Sequence, residues 1–183
     1  MKKSIVKVFL VIAFLLVSIC GGLYAKNIFD SSKKELVALI EDVAFKQSNV
    51  QLTLQKRNDC VPNLIEEAKE YINSDAEELI EIEDASIKIA NSIDLCRLIE
   101  AEKYNSELTK KVNSLYWRNP ILHTSERLIK LEKDFEDINK EIDVAIGEYN
   151  ISAKAYNSRL IEFPTSLVSK ILGYSQMNYF EAY

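Results

Sequence analysis

His123 is the one histidine in the chain, and a hydrolytic triad would have to use it as the base between a nucleophile and a carboxylate. It sits just after Trp117-Arg-Asn-Pro120, a turn-like stretch with no nucleophile motif nearby. A di-iron helical site needs two Glu-x-x-His pairs, which a single histidine cannot supply. Glu66, Glu67, Glu70, Glu77, Glu78, Glu81 and Glu83 form a dense acidic run. Such a run reads first as a solvated face, and second as a weak surface for a divalent cation or a basic partner. There is no phosphate-binding loop. We expect no catalytic, cofactor-binding or metal-ligating residue, no bound cofactor, and a protein that is not an enzyme.

What remains is polar chemistry set into apolar stripes. Arg57 and Asp59 interrupt one stripe beside Pro62 and Asn63. A proline inside a helix removes one backbone bond and costs about 3 kcal/mol, so a kink is expected there. Arg57 and Asp59 then serve as a polar pair that satisfies the opened backbone, with a ligand or partner site at the kink as the alternative. Tyr149-Asn150 and Tyr156-Asn157 recur seven residues apart and so share one helix face. They read as core tyrosines with hydroxyls at the rim, or as a binding stripe. Phe163-Pro164 follows and ends that helix.

These residues need helices to position them. Four Gly and three Pro in 183 residues leave little for loops, and 48% hydrophobic content is enough to bury a core. Ser32-Lys-Lys-Glu35 and Ser74-Asp-Ala-Glu77 have the form of capping boxes that start helices. One stripe runs from Leu36 to Ile72 in steps of three and four. A second runs from Leu79 through Ile89, Ile93, Cys96 and Ile99 to Leu115. A third runs from Leu128 to Phe163. Thr165 to Leu172 forms a short helix stopped by Gly173, and the aromatic tail Tyr179 to Tyr183 packs back. The expected fold is all-α: an antiparallel up-and-down bundle of three long helices, each about 60 Å, plus a short C-terminal helix. In that bundle the first and third helices run parallel, which puts Tyr149 or Asn150 near Arg57, Asp59 or Asn63. Cys60 and Cys96 then lie about 12 Å apart along facing helices, too far for a disulfide, and should be free buried thiols.

Residues 8–25 carry no charge and follow Lys2, Lys3 and Lys7. As a helix they span about 27 Å, close to the thickness of the bilayer hydrocarbon. We read them as an uncleaved transmembrane anchor through which the lipid bilayer becomes a partner. The alternatives are a lipoprotein signal at Cys20, where Ile19 is bulky for the preceding position, and a cleaved secretory signal ending near Ala25. The division is then 1–30 as anchor and connector and 31–183 as helical body. Lysines flank the anchor on both sides, and the amino terminus tips the balance toward a body outside the cytoplasm. Beyond residue 25 the chain holds 20 basic and 28 acidic residues, a net of −8. Without a basic cluster, that body is no nucleic-acid binder.

Lys56-Arg-Asn-Asp-Cys-Val-Pro-Asn-Leu64, Pro120-Ile-Leu122, Tyr149-Asn150, Tyr156-Asn157, Phe163-Pro164, Gly173-Tyr174 and Tyr179-Phe180 stand in this order. Their order and spacing resemble the LemA family of bacterial membrane-anchored helical proteins. Cys60 replaces a Leu usual in that family, Gly147 stands where Arg is frequent, and the family's first-helix Trp is absent. The resemblance implies an anchored helical bundle with no established enzymatic activity. It makes Arg57, Asp59, Pro62, Asn63, Tyr149, Asn150, Tyr156, Asn157, Phe163 and Pro164 structural motif residues. The expected function is that of a scaffold or membrane-organising rod of the cell envelope, with homo-oligomers allowed. The alternative is an adaptor of a membrane enzyme such as an envelope protease, with an envelope or membrane protein as partner.

Overall fold

The computed structural model describes the backbone of residues 2–73, 76–94 and 97–180. The described residues are helical with short connections and no strand. In chain order they form α1 (Lys2–Asn58), α2 (Val61–Ala68), α3 (Glu77–Asp94), α4 (Leu98–Arg118), a 3-10 turn (Pro120–Thr124), α5 (Glu126–Ile161) and α6 (Thr165–Leu172). Two compact units divide the chain, one of residues 43–152 with 179–183, the other of residues 1–42 with 153–178.

In the 43–152 unit the chain makes four antiparallel passes. Lys46 pairs with Glu148 at 2.9 Å and Lys56 with Glu141 at 2.7 Å, so α1 and α5 run in opposite directions. Lys111 pairs with Glu81 at 2.8 Å and Arg118 with Glu78 at 3.5 Å, which sets α3 against α4 in the same way. The core is the set of stripe residues, among them Val50, Leu54, Leu64, Leu79, Ile82, Ile89, Leu108, Leu115, Phe135 and Ile142, all buried.

The bundle of three long helices is therefore corrected to four passes, because the second stripe is two helices. α3 ends at Asp94 and α4 begins at Leu98, which is buried. Ile99, assigned inward from the sequence, is 45% exposed. The Arg97 N–H bonds the Ser92 carbonyl at 2.8 Å at the end of α3, and Arg97 itself has left helical geometry at φ −93°, ψ 61°. One extra pass reverses the last helix, so α1 and α5 are antiparallel and not parallel. The placement of Tyr149 beside Pro62 fails with it: the Lys46–Glu148 pair puts Tyr149 level with a residue about 24 Å below Pro62 on α1.

Three local expectations also change. The chain is helical through Ser32, so no helix begins there; the Ser74 capping box lies outside the described residues, and α3 begins at Glu77. Pro62 does not kink a helix from inside. α1 ends at Asn58, and Pro62 occupies the first turn of α2, where its missing N–H is harmless. Cys60 is free but only half-buried, its thiol donating to the Lys56 carbonyl at 3.4 Å, and burial raises its pKa. Cys96 lies outside the described residues.

In the other unit α1 begins to be covered at Ile28 and Phe29, which are half-buried, and Ser32 and Leu36 are buried. Arg159 near the end of α5 reaches both carboxylate oxygens of Glu35, at 2.7 and 2.6 Å, so the two helices are antiparallel here as well. The Phe163–Pro164 peptide is cis. α6 then buries Thr165, Val168 and Ser169 and ends on Gly173 at φ 73°, the left-handed conformation that glycine adopts without strain. Phe163 leaves the third stripe and is 78% exposed.

Nearer the amino terminus α1 contains an 18-residue window of mean hydropathy 1.7 with none of it buried. By length and composition this helix can cross a membrane.

Candidate functional site

Arg57 is the largest fully buried side chain, at 0% exposure. It sits on the last turn of α1, where the apolar stripe turns it inward. Its Nη1 donates to Thr109 Oγ1 at 2.7 Å and to Asn139 Oδ1, and its Nη2 to the Asn105 carbonyl at 2.9 Å. One guanidinium thus ties α1 to α4 and α5, using the fixed fork that lysine lacks. Phe135 lies 4.9 Å from it, ring facing the cation. Burial pulls its pKa down to about 9, while the Glu102 and Asp143 carboxylates pull it back up. It still carries its charge at neutral pH.

Asp59, expected as its partner, is exposed, and so are Pro62 and Asn63. The break between α1 and α2 is instead bridged by backbone bonds, Cys60 N–H to the Arg57 carbonyl and Leu64 N–H to the Cys60 carbonyl, both at 3.1 Å, while Asn58 Oδ1 accepts from Ser86 Oγ of α3 at 2.8 Å. Beside Arg57 a half-open cleft of about 740 Å³ is lined by Glu102, Asn105, Thr109, Asn139, Asp143 and Gly147, among others. Arg57 Nε and Asn105 Oδ1 have no hydrogen-bond partner among the described residues.

The two Tyr-Asn pairs hold the C-terminal tail. In the first unit, Asn150 Oδ1 accepts the Phe180 N–H at 2.9 Å and its Nδ2 donates to the Phe180 carbonyl at 3.0 Å. The Tyr149 ring meets Phe180 edge-on at 4.9 Å. In the second, Asn157 accepts the Met177 N–H at 2.8 Å and donates to its carbonyl at 2.8 Å. Tyr156 donates to the Ser175 carbonyl at 3.1 Å. Each amide thus presents a donor and an acceptor to one residue, as a neighbouring strand would.

The acidic run is less solvated than its composition implies. Glu67 is buried and bonds Arg127 at 2.8 Å, with Ser125 Oγ at 3.4 Å. Glu78 and Glu81 pair with basic residues of α4. His123 stands 3.7 Å from Glu132 and stacks at a tilt on Tyr116, 5.5 Å between ring centres. Burial pushes the Tyr116 phenol up, and its hydroxyl donates to the Leu128 carbonyl at 2.9 Å. Among the described residues no group of three or more His, Cys, Asp or Glu is placed to hold a metal ion.

The sequence located Arg57 and both Tyr-Asn pairs without their partners. Asn105, Thr109 and Asn139 escaped notice, although each is polar at or beside a stripe position, as Arg57 is.

These elements define a class: an all-helical protein with a buried guanidinium knot, a tail clamped by two asparagines and an apolar N-terminal helix. The chain belongs to the LemA family, whose family model matches residues 46–183. No curated protein matches the chain as a relative.

Proposed function

We propose that this is a membrane-anchored, non-enzymatic helical protein of the bacterial cell envelope that acts as a scaffold or organises membrane. The observation that carries this reading is the continuity of α1. One helix of 57 residues contains the exposed apolar window and the first packed positions, with no flexible linker between Ala25 and Ile28. Such a joint supports a body held at a fixed orientation to a bilayer and not one on a tether. The polar chemistry supports it too. The guanidinium knot and the asparagine clamps are spent on holding helices and tail, not on a substrate. Cys20, in this reading, is part of the span. The amino terminus lies in the cytoplasm and the body outside it, with homo-oligomers allowed.

A second reading has one observation in its favour. Trp117 is 83% exposed and Ile121 is 51% exposed, both beside the turn that joins α4 to α5. Exposed tryptophan is a frequent anchor of protein interfaces, which suits an adaptor of a membrane enzyme such as an envelope protease.

Crosslinking in intact cells, then pull-down of the tagged full-length protein and mass spectrometry, separates the two. Self-crosslinks and lipid alone support the scaffold. One dominant, stoichiometric protein partner lost in Trp117→Ala supports the adaptor. Turnover of a defined substrate by the purified protein overturns both.

A further inference from the structure

The outer face of α6 is apolar where a surface helix should be polar. Its inner face buries Thr165, Val168 and Ser169. Its outer face presents Leu167 at 54% exposure and Ile171 at 71%, one turn apart, continued by Phe163 at 78% and Ile161 at 72%. The helix thus has apolar groups on both sides, and one side has no protein covering it among the described residues.

Its place in the unit says what covers it. The bidentate Arg159–Glu35 pair fixes α5 against α1, so the C-terminal end of α5 faces the apolar segment of α1. Ser169 Oγ donates to the Leu160 carbonyl at 3.2 Å. Helix carbonyls point toward the C-terminus, so α6 lies beyond that end of α5, on the side of the apolar segment. The burial of Ser32 and half-burial of Ile28 and Phe29 agree, since these positions lie beyond Glu35 in the same direction. Ile28 is about 5 Å and Ser32 about 10 Å from the end of the apolar run at Ala25. A headgroup layer is about 5–8 Å deep. A helix about 10 Å across at that level is within reach of the layer.

Charge complements the surface. Lys26, Lys33, Lys34 and Lys170 are exposed at this end against Asp30 and Glu162, while Arg159 and Glu35 neutralise each other. The rest of the body is acidic. A local basic excess beside an apolar face is the composition of an element that lies in an anionic interface.

We propose that α6, with the Ile161–Phe163 edge, is a second membrane contact, a foot set in the lipid headgroup layer with Leu167, Ile171 and Phe163 toward the acyl boundary. This rests on the anchor reading. It turns a single-span attachment into a two-point one, which fixes the tilt and rotation of α1 in the bilayer.

The test uses full-length protein with Cys20, Cys60 and Cys96 changed to Ser, in phosphatidylcholine vesicles containing anionic phosphatidylglycerol. In that background Leu16→Cys, Leu167→Cys, Ile171→Cys or Leu52→Cys carries an environment-sensitive fluorophore, read with nitroxide-labelled lipids. Position 16 reports the anchor and position 52 an exposed site on the body. The expected result is deep quenching at 16, shallow quenching with blue-shifted emission at 167 and 171, and an aqueous signal at 52. Aqueous signals at 167 and 171 with deep quenching at 16 overturn the foot and leave the anchor. An aqueous signal at 16 overturns the anchor and the foot with it. A blue shift at 167 and 171 without quenching by lipid means protein covers the face, and also overturns the proposal.

Discussion

Arg57 is where the physics of single residues is most exposed. A fully buried guanidinium is costly, and desolvation lowers its pKa to about 9. The cost is offset because one side chain serves three acceptors on two other helices. We expect Arg57→Ala to lose about 3 kcal/mol, from the void and from acceptors left unpaired. Arg57→Lys should lose about 2 kcal/mol, because a point charge cannot reproduce the fork. Arg57→Met, which fills the volume and removes the charge, should lose least of the three. Thermal unfolding of the detergent-solubilised protein, followed by circular dichroism, checks the order. If Arg57→Met proves the most damaging, the charge itself and not the packing holds the helices. The sequence revealed Arg57 because a cation broke an apolar stripe. It concealed Asn105, Thr109 and Asn139, because a small polar residue on a stripe looks the same whether it is spacing or an acceptor.

At the scale of elements, the stripes announced the helices and lost two breaks, the end of α1 before Pro62 and the division of α3 from α4. The positions from Leu36 to Ala68 and from Leu128 to Leu160 follow a helical period and are mostly buried. The second stripe hid its division because Ile99 and Leu98 are adjacent and equally apolar. Reading Ile99 as inward kept the period nearly intact and the pass count odd. That one assignment reversed the expected direction of α5. The tail was legible only as aromatic. Its attachment depends on asparagine side chains of α5 bonding to tail backbone, which no periodicity search along a single element can find. The clamps give a site-resolved prediction. Asn157→Ala should speed hydrogen exchange of the Met177 amide, and Asn150→Ala that of Phe180, each about fivefold, as expected for loss of a bond contributing about 1 kcal/mol. Equal exchange at both amides in either variant means the tail releases as one cooperative piece and the clamps are not separate.

For the whole molecule, the proposed membrane attachment rests on one apolar segment of α1. The apolar segment is long enough to span: from Val8 to Ala25 a helix covers about 27 Å, within reach of a hydrocarbon core of about 30 Å. Cys20 falls inside that segment, where it is either a lipid-facing side chain or a site of lipid attachment after cleavage. Cleavage before Cys20 would require the site to accept Ile19, and it would remove most of the span. It would also leave only Gly21 to Ala25 between a lipidated residue and Lys26. In the proposed reading Cys20 stays within the span, on one helix that runs on into packed positions. Cys20→Ser should therefore leave the protein in the membrane pellet after alkaline carbonate extraction, with unchanged mobility and no incorporation of labelled fatty acid in the parent protein. Deleting residues 2–25 should move it to the supernatant, or reduce it to weak, salt-sensitive binding if α6 retains a hold on anionic lipid. Release of the Cys20→Ser protein, or a mass fall in the parent protein matching cleavage at that residue, would establish the lipoprotein instead. A lipidated Cys20 with α1 shortened to its packed half would also lose the fixed joint on which a rigidly oriented body depends.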